Sequence, residues 1–208
     1  MSKIHIDKMA GAVKKYFAEA EIAQQKMKRN SEIYLPEFAE PENEKVKEQL
    51  KEPRRQAEEA IRAAQEAGRA EAAEWGRLSG DKLSGDASLL QFDISPEQFA
   101  DLVSRHKGNG TMSALLKQYG DKMNKRLLEE TSGKTGSMPE KQYNTWDIPT
   151  VEEKQSAYDK FAMGARSLLT QIDNSGTFGG GTDSQVLKTA VDSFGTPSAY
   201  NQHLFDLL

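Results

Sequence analysis

Four consecutive residues, Ser132-Gly133-Lys134-Thr135, are of the types that end a phosphate-binding loop: a lysine to meet phosphate oxygens and a hydroxyl to hold magnesium. Such a loop also needs a glycine five positions before Gly133, so that backbone N–H groups can close on the phosphates, and Leu128 stands there instead. No buried strand precedes it. Gly179 to Gly181 also follows no strand and lacks the spaced glycines of a dinucleotide loop, which makes it a flexible connector. The segment from Asp173 offers oxygen ligands for calcium at Asp173, Ser175 and Thr177. It has Phe178 where the turn needs glycine, however, and Ser184 where a bidentate glutamate belongs. His5, His106 and His203 lie in separate segments, and none has a second histidine three or four residues away. Pairs such as Glu129-Glu130 and Glu152-Glu153 sit where a solvated face or a helix cap explains them, so general acid–base work has no support. With no cysteine, thiolate chemistry and disulfides are absent too. The chain is therefore expected not to be an enzyme, with no catalytic residue, no cofactor and no metal.

Binding chemistry has better candidates. Tyr143-Asn144-Thr145-Trp146-Asp147-Ile148 places three large apolar side chains in a polar segment with no helical stripe to bury them, and Trp and Tyr in such settings anchor protein interfaces. The competing reading is that they fold back as a lid on a core. Tyr16 and Met27, on the seam of the first helix, are further candidates for partner contact. Lys14, Lys15, Lys28 and Arg29 are the residues that a nucleic-acid-binding alternative would use. Basic and acidic runs that balance across a helical hairpin disfavour that alternative, because a nucleic-acid footprint is an unbalanced patch.

The elements that would carry these residues are helices. Ile6, Met9, Val13, Tyr16, Ala20, Ala23 and Met27 fall at steps of three and four, the seam of a helix expected from about Asp7 to Asn30. Val46, Leu50, Pro53, Ala57, Ala60, Ala64 and Ala67 repeat the steps, after a break carrying Pro36 and Pro41. A kink or restart is expected at Pro53, which lacks the N–H that the helix ladder needs. From Lys3 to Arg29 the chain carries seven basic side chains against three acidic ones, and from Glu32 to Glu52 seven glutamates against three lysines. Antiparallel packing is expected to set these opposite charges together. The alanines limit what the pair can do alone: each buried methyl contributes about 0.8 kcal/mol, while ordering a residue costs roughly 1–2 kcal/mol. The hairpin is expected to dock on a second copy, on the rest of the chain or on a foreign partner.

After Trp75 the composition changes, with only Gly11 and Gly68 of the 16 glycines lying before it. The expected organisation is a helical hairpin arm over 1–75, a linker over 76–88 with the tandem Leu78-Ser79-Gly80-Asp81 and Leu83-Ser84-Gly85-Asp86, and a small helical domain over 89–208 with long loops at 131–149 and 173–182. Ser95, Pro96 and Gln98 form a capping box ahead of Phe99, Leu102 and Val103. Thr111 is expected to open the next helix, and Thr150 with Glu153 the one after. That helix bears a broad stripe of Tyr158, Phe161, Ala162, Ala165, Leu168, Leu169 and Ile172. Thr182 with Gln185 caps a helix ended by Gly195, and Thr196 and Pro197 begin the last. The fold class is all-α. No apolar run is long enough to span a membrane, and Met-Ser-Lys-Ile-His-Ile-Asp has no apolar signal stretch.

Phe92-Asp-Ile-Ser-Pro-Glu-Gln-Phe-Ala-Asp-Leu-Val, with Lys107-Gly-Asn-Gly-Thr-Met-Ser-Ala-Leu-Leu-Lys-Gln-Tyr-Gly and the upstream Tyr34-Leu-Pro-Glu-Phe-Ala, resembles a pattern in uncharacterised phage and prophage proteins of Gram-positive bacteria. The resemblance stops at Glu130, rests on caps and core positions, and carries over no catalytic residue. It implies a product of virion-assembly regions: a structural or assembly protein working through helix packing, as a homo-oligomer or with a host or virion protein, in the bacterial cytoplasm or the virion. A phage-encoded inhibitor of a host defence protein is the alternative.

Overall fold

The structure, a computed structural model, describes residues 3–132, 142–175, 184–199 and 201–208. Gly133, Lys134 and Thr135 of the phosphate-type motif, Gly179 to Gly181, Thr182 and most of the calcium-type segment lie outside the described residues. Every regular element among the described residues is helical, as expected: α1 (Ile4–Ile33), α2 (Pro36–Gly76), α3 (Pro96–His106), α4 (Gly110–Ser132), α5 (Val151–Ser175), α6 (Ser184–Ser193) and α7 (Gln202–Leu207).

The contacts gather these helices into two compact units, divided otherwise than the arm, linker and C-terminal domain expected at 1–75, 76–88 and 89–208. One unit joins the chain up to Arg69 to Ser156–Asp206; the other holds Ala70–Gln155. In the first, α1 and α2, lined by Ala20, Ala23, Ala57 and Ala64, pack against each other, and further apolar volume comes from outside the hairpin. The α5 stripe supplies it: Tyr158, Phe161, Ala162, Ala165, Leu168, Leu169 and Ile172 are all buried, with Ile6, Met9, Val13 and Ile61, and with Leu187 and Val191 of α6. The docking expected of the hairpin is thus met inside the chain, by α5 and α6. Gly68 shows how close the approach is, since a Cβ built there would lie 2.6 Å from the Tyr158 ring. Gly195 ends α6 at φ +84°, where its missing Cβ leaves room for Ala10.

Two expectations about the hairpin are corrected. α2 runs helical through Pro41 and Pro53, and the chain reverses at Tyr34-Leu35 alone. Around Pro53 side chains stitch the helix together: Arg55 bonds Glu52 at 2.7 Å and Glu59 at 2.5 Å, and Gln56 donates to Glu52 at 2.9 Å. The acids of α2 do not neutralise α1 either. Lys45–Glu42, Lys47–Glu44 and Lys51–Glu48 pair within one turn of α2 instead. The apolar seam faces inward, so the charges point outward, where a neighbour one turn away is nearest.

The middle unit has its own core of Ile94, Phe99, Leu102, Leu116, Met123, Tyr143 and Ile148. Its α3 starts with the expected capping box, Ser95 Oγ accepting from the Gln98 N–H at 3.2 Å and Gln98 Oε1 from the Ser95 N–H at 2.9 Å. Residues 76–88 are folded into this unit, each Leu-Ser-Gly-Asp copy contributing to one of two short 3-10 turns, Gly80–Lys82 and Gly85–Gln91. Asn109, not Thr111, opens α4, its Oδ1 accepting from the Met112 N–H at 3.2 Å, while Thr111 is buried and its hydroxyl accepts from the Ser79 N–H. In the first unit, the last helix begins at Gln202, later than Thr196, because Asn201 holds a turn through Ser198 and Thr196.

Candidate functional site

The segment from Tyr143 to Pro149 has no regular structure, yet α4 fixes Tyr143 and Thr145 of it and the loop's own bonds fix the residues between and after them. Asn124 acts as a clamp: its Nδ2 donates to the Tyr143 carbonyl and its Oδ1 accepts from the Tyr143 N–H, both at 2.8 Å. One side chain thereby satisfies both backbone groups, as a strand partner would. Thr145 Oγ1 donates to Asp121 at 3.0 Å, and its methyl lies against Gly120, where a Cβ would come within 2.4 Å. Tyr143 is sandwiched edge-on to Phe99 and Tyr119, centroids 5.4 and 5.9 Å away, and its hydroxyl donates to the Ile94 carbonyl at 2.6 Å. Burial, with the neighbouring Tyr119 and Asp93, raises the Tyr143 pKa, so the phenol stays a donor. Ile148 closes the far side, 2% exposed.

Between these two anchors Trp146 is 91% exposed. Its backbone is held as firmly as its neighbours': the Trp146 N–H donates to Asn144 Oδ1 at 3.1 Å, Asn144 Nδ2 donates to Asp147 at 2.6 Å, and the Ile148 N–H reaches the Thr145 carbonyl at 3.3 Å. The loop is therefore built, and built with its largest apolar side chain in water. Burying a large apolar side chain stabilises by roughly 1.5–3 kcal/mol, which folding leaves unused at Trp146. An indole on a preset backbone can enter a partner's pocket and add an N–H donor while losing little conformational freedom.

The other sequence candidates fall elsewhere. Tyr143 and Ile148 spend their surface on the core, so within the aromatic segment the outward role belongs to Trp146. Tyr16 and Met27 line one cleft of about 280 Å³ in the first unit, with Ala20, Leu50, Arg54 and Asp173. Tyr16 is buried and its hydroxyl donates to Asp173, whose other oxygen accepts from Arg54 Nε at 2.8 Å. Burial above all, then the bond to Asp173, pushes the Tyr16 phenol far above its ordinary value. The trio is a clamp joining α1, α2 and α5 and has no free nucleophile to offer. Lys14, Lys15, Lys28 and Arg29 are exposed on α1; Lys28 lies 3.9 Å from Glu32.

Sequence reading passed over two features. Ile33, Tyr34, Leu35 and Phe38 are all exposed at the hairpin turn. In the middle unit Lys154 is buried, its ammonium 4.6 Å from the Trp75 ring centroid and donating to the Leu207 carbonyl, so that burial, with Lys107 adding, lowers its pKa. Nothing in the run Glu152-Glu153-Lys154 marks that lysine from its charged neighbours, whereas Tyr34-Leu35-Pro36-Glu37-Phe38 is legible as an apolar cluster in a turn. No helix among the described residues is long and apolar enough to cross a membrane. No protein-family model matches the chain, and no curated protein or solved structure matches it either.

Proposed function

We propose that this is a non-enzymatic protein of phage origin that works in assembly through protein–protein contacts carried by its helices and the Trp146 loop. The observation that carries the reading is the 91% exposure of Trp146 on a loop locked on both sides. An exposed indole is a poor solution for solubility and a good one for capture, since Trp is the residue most enriched among interface hot spots. The phage origin and the assembly role come from the sequence resemblance, and the absence of chemistry from the motif failures above. The partner is a second copy or a host or virion protein.

The test is retention of a partner from a phage-infected bacterial lysate on immobilised chain, compared with Trp146→Ala. One stoichiometric protein, lost on that substitution while the melting temperature stays put, is expected. If it is a virion component the assembly role stands; if it is a host defence protein the inhibitory alternative replaces it. Retention that ignores Trp146→Ala refutes the role given to this loop.

A further inference from the structure

The turn of the α1–α2 hairpin carries an apolar cap. Ile33, Tyr34, Leu35 and Phe38 are each half to two-thirds exposed. At roughly 150–250 Å² for a large side chain the four together expose on the order of 500 Å², near the upper end for a monomer's largest apolar patch. The cap is flanked by acids: from Asn30 to Glu44 the chain has five glutamates, of which Glu32, Glu42 and Glu44 pair with Lys28, Lys45 and Lys47. Glu37 and Glu40, beside the cap, have no cationic partner among the described residues. An anionic lipid surface would repel such a cap, and so would another cap head-on.

The complementary surface lies on the same chain. The outward stripe of α1 at steps of three and four is Ile4, Lys8, Gly11, Lys15, Ala18 and Ile22, and all six are exposed. Lys8 and Lys15 have no acidic partner among the described residues. Small residues alternate with lysines, so apolar knobs can sit between cations. Eighteen to 25 residues separate Ile33 from Lys15 and Lys8 along α1, about 27–38 Å at 1.5 Å per residue.

We infer that the chain pairs with a second copy, two hairpins lying antiparallel and side by side, with each cap on the partner's α1 stripe and Glu37 and Glu40 meeting Lys8 and Lys15. The inference rests on the reading of the chain as a contact protein and names one of its partners. Area decides between one contact and two. A single cap on a single stripe buries roughly 1,000 Å² in total, the threshold of a specific interface. The two-fold pair makes the contact twice and reaches about 2,000 Å², enough for a stable dimer. Two-fold closure also uses up both caps and both stripes, so association stops at two.

The experiment is mass by light scattering of the full chain, from about 1 to 100 µM, at roughly 50 and 500 mM salt, where the screening length falls severalfold. A dimer of the 23.1 kDa chain is expected at low salt, with dissociation rising at least tenfold at high salt and in Phe38→Ser. Charge reversal supplies the sharper arm. Glu37→Lys/Glu40→Lys alone and Lys8→Glu/Lys15→Glu alone should each be monomeric, and an equimolar mixture of the two should be dimeric, because both contacts then regain opposite charges. A wild-type monomer throughout, mass growing beyond the dimer, or reversed variants that stay dimeric on their own would each overturn the inference. Trp146→Ala should leave the mass unchanged, so failure here and failure of the loop's role are read separately.

Discussion

Gly68 lies in the interior of a 41-residue helix, two turns before its end, where alanine would ordinarily be the better residue by about 0.8–1.0 kcal/mol. The structure gives the reason for glycine. A Cβ at Gly68 would stand 2.6, 2.7 and 2.8 Å from three carbons of the Tyr158 ring, and that ring is fully buried. These distances are inside any carbon–carbon contact, and a ring enclosed on all sides cannot swing away as an exposed side chain would. Forcing a methyl into such a core costs roughly 1–3 kcal/mol, set against the helix gain, so Gly68→Ala should give up that gain and destabilise by up to about 2 kcal/mol net. At about 2–4 °C per kcal/mol for a chain of this size, the melting temperature should fall by up to about 8 °C, where an unhindered alanine would raise it. Gly11 is the internal control. It is helical and exposed, and its Cβ would meet nothing within 4 Å, so Gly11→Ala should stabilise by about 0.8 kcal/mol. Thermal and urea melts followed by far-UV circular dichroism, at high salt to keep the α1 stripe out of association, read both. Equal stabilisation by the two substitutions would refute the claim that Tyr158 packs on α2 at this point. Gly68→Ala in a Tyr158→Leu background should lose its penalty, because the ring that it strikes is gone.

Trp146→Ala should change stability by less than about 0.5 kcal/mol, as at other exposed positions, while removing most iodide-quenchable tryptophan fluorescence and leaving the half-buried Trp75 as the remaining emitter. Lys154 has a pKa held below its ordinary 10.5 by burial, with Lys107 adding, so the unfolded chain binds that proton more readily than the folded one. Stability should therefore climb as pH rises through the folded value toward 10.5; Lys154→Met should abolish the climb and be neutral to about 1 kcal/mol stabilising, as measured by urea melts across that range. For Asp159, burial acts upward, but hydrogen bonds from Gln65 at 2.7 Å and Arg69 at 2.6 Å outweigh it and hold the carboxyl below its ordinary 3.8. Its contribution is complete above that value and lost as pH falls through the folded one, so Asp159→Asn should flatten the acid limb of the stability profile. Ser95→Ala should cost about 1 kcal/mol by opening the α3 capping box, measurable in the same melts.

The fold class and the starts of α3 and α5 were legible because they are local. Ser95 with Gln98 and Thr150 with Glu153 each satisfy their own backbone donors, and no distant residue is consulted. The α5 stripe was legible for the same reason. What it packs against was not: steps of three and four tell which face is buried, not which helix buries it, and so the pairing of α5 and α6 with the first hairpin lay beyond pattern. Pro53 misled because a lost backbone bond is a fixed local cost, while the bridging by Glu52, Arg55, Gln56 and Glu59 depends on rotamers. The aromatic loop was ambiguous for a physical reason too, since Tyr143, Trp146 and Ile148 are equally apolar. A clue was present in Asn144, two residues before Trp146, a type that turns its own backbone.

The duplicated Leu-Ser-Gly-Asp stretch shows how one short phrase can be given two duties. In the first copy the main chain does the tying: the Ser79 N–H meets Thr111, and at the end of the same turn the Lys82 carbonyl takes a bond from Asn109 at 2.6 Å, so it fastens the start of α4. In the second copy the side chain does it: Asp86 receives His106 at 2.9 Å and Arg105 at 3.0 Å, so it neutralises the end of α3. Near-identical letters have thus become non-interchangeable parts. Removing either copy would strip a different helix terminus of its fastening, and the surviving twin, already committed, could not stand in for the one removed.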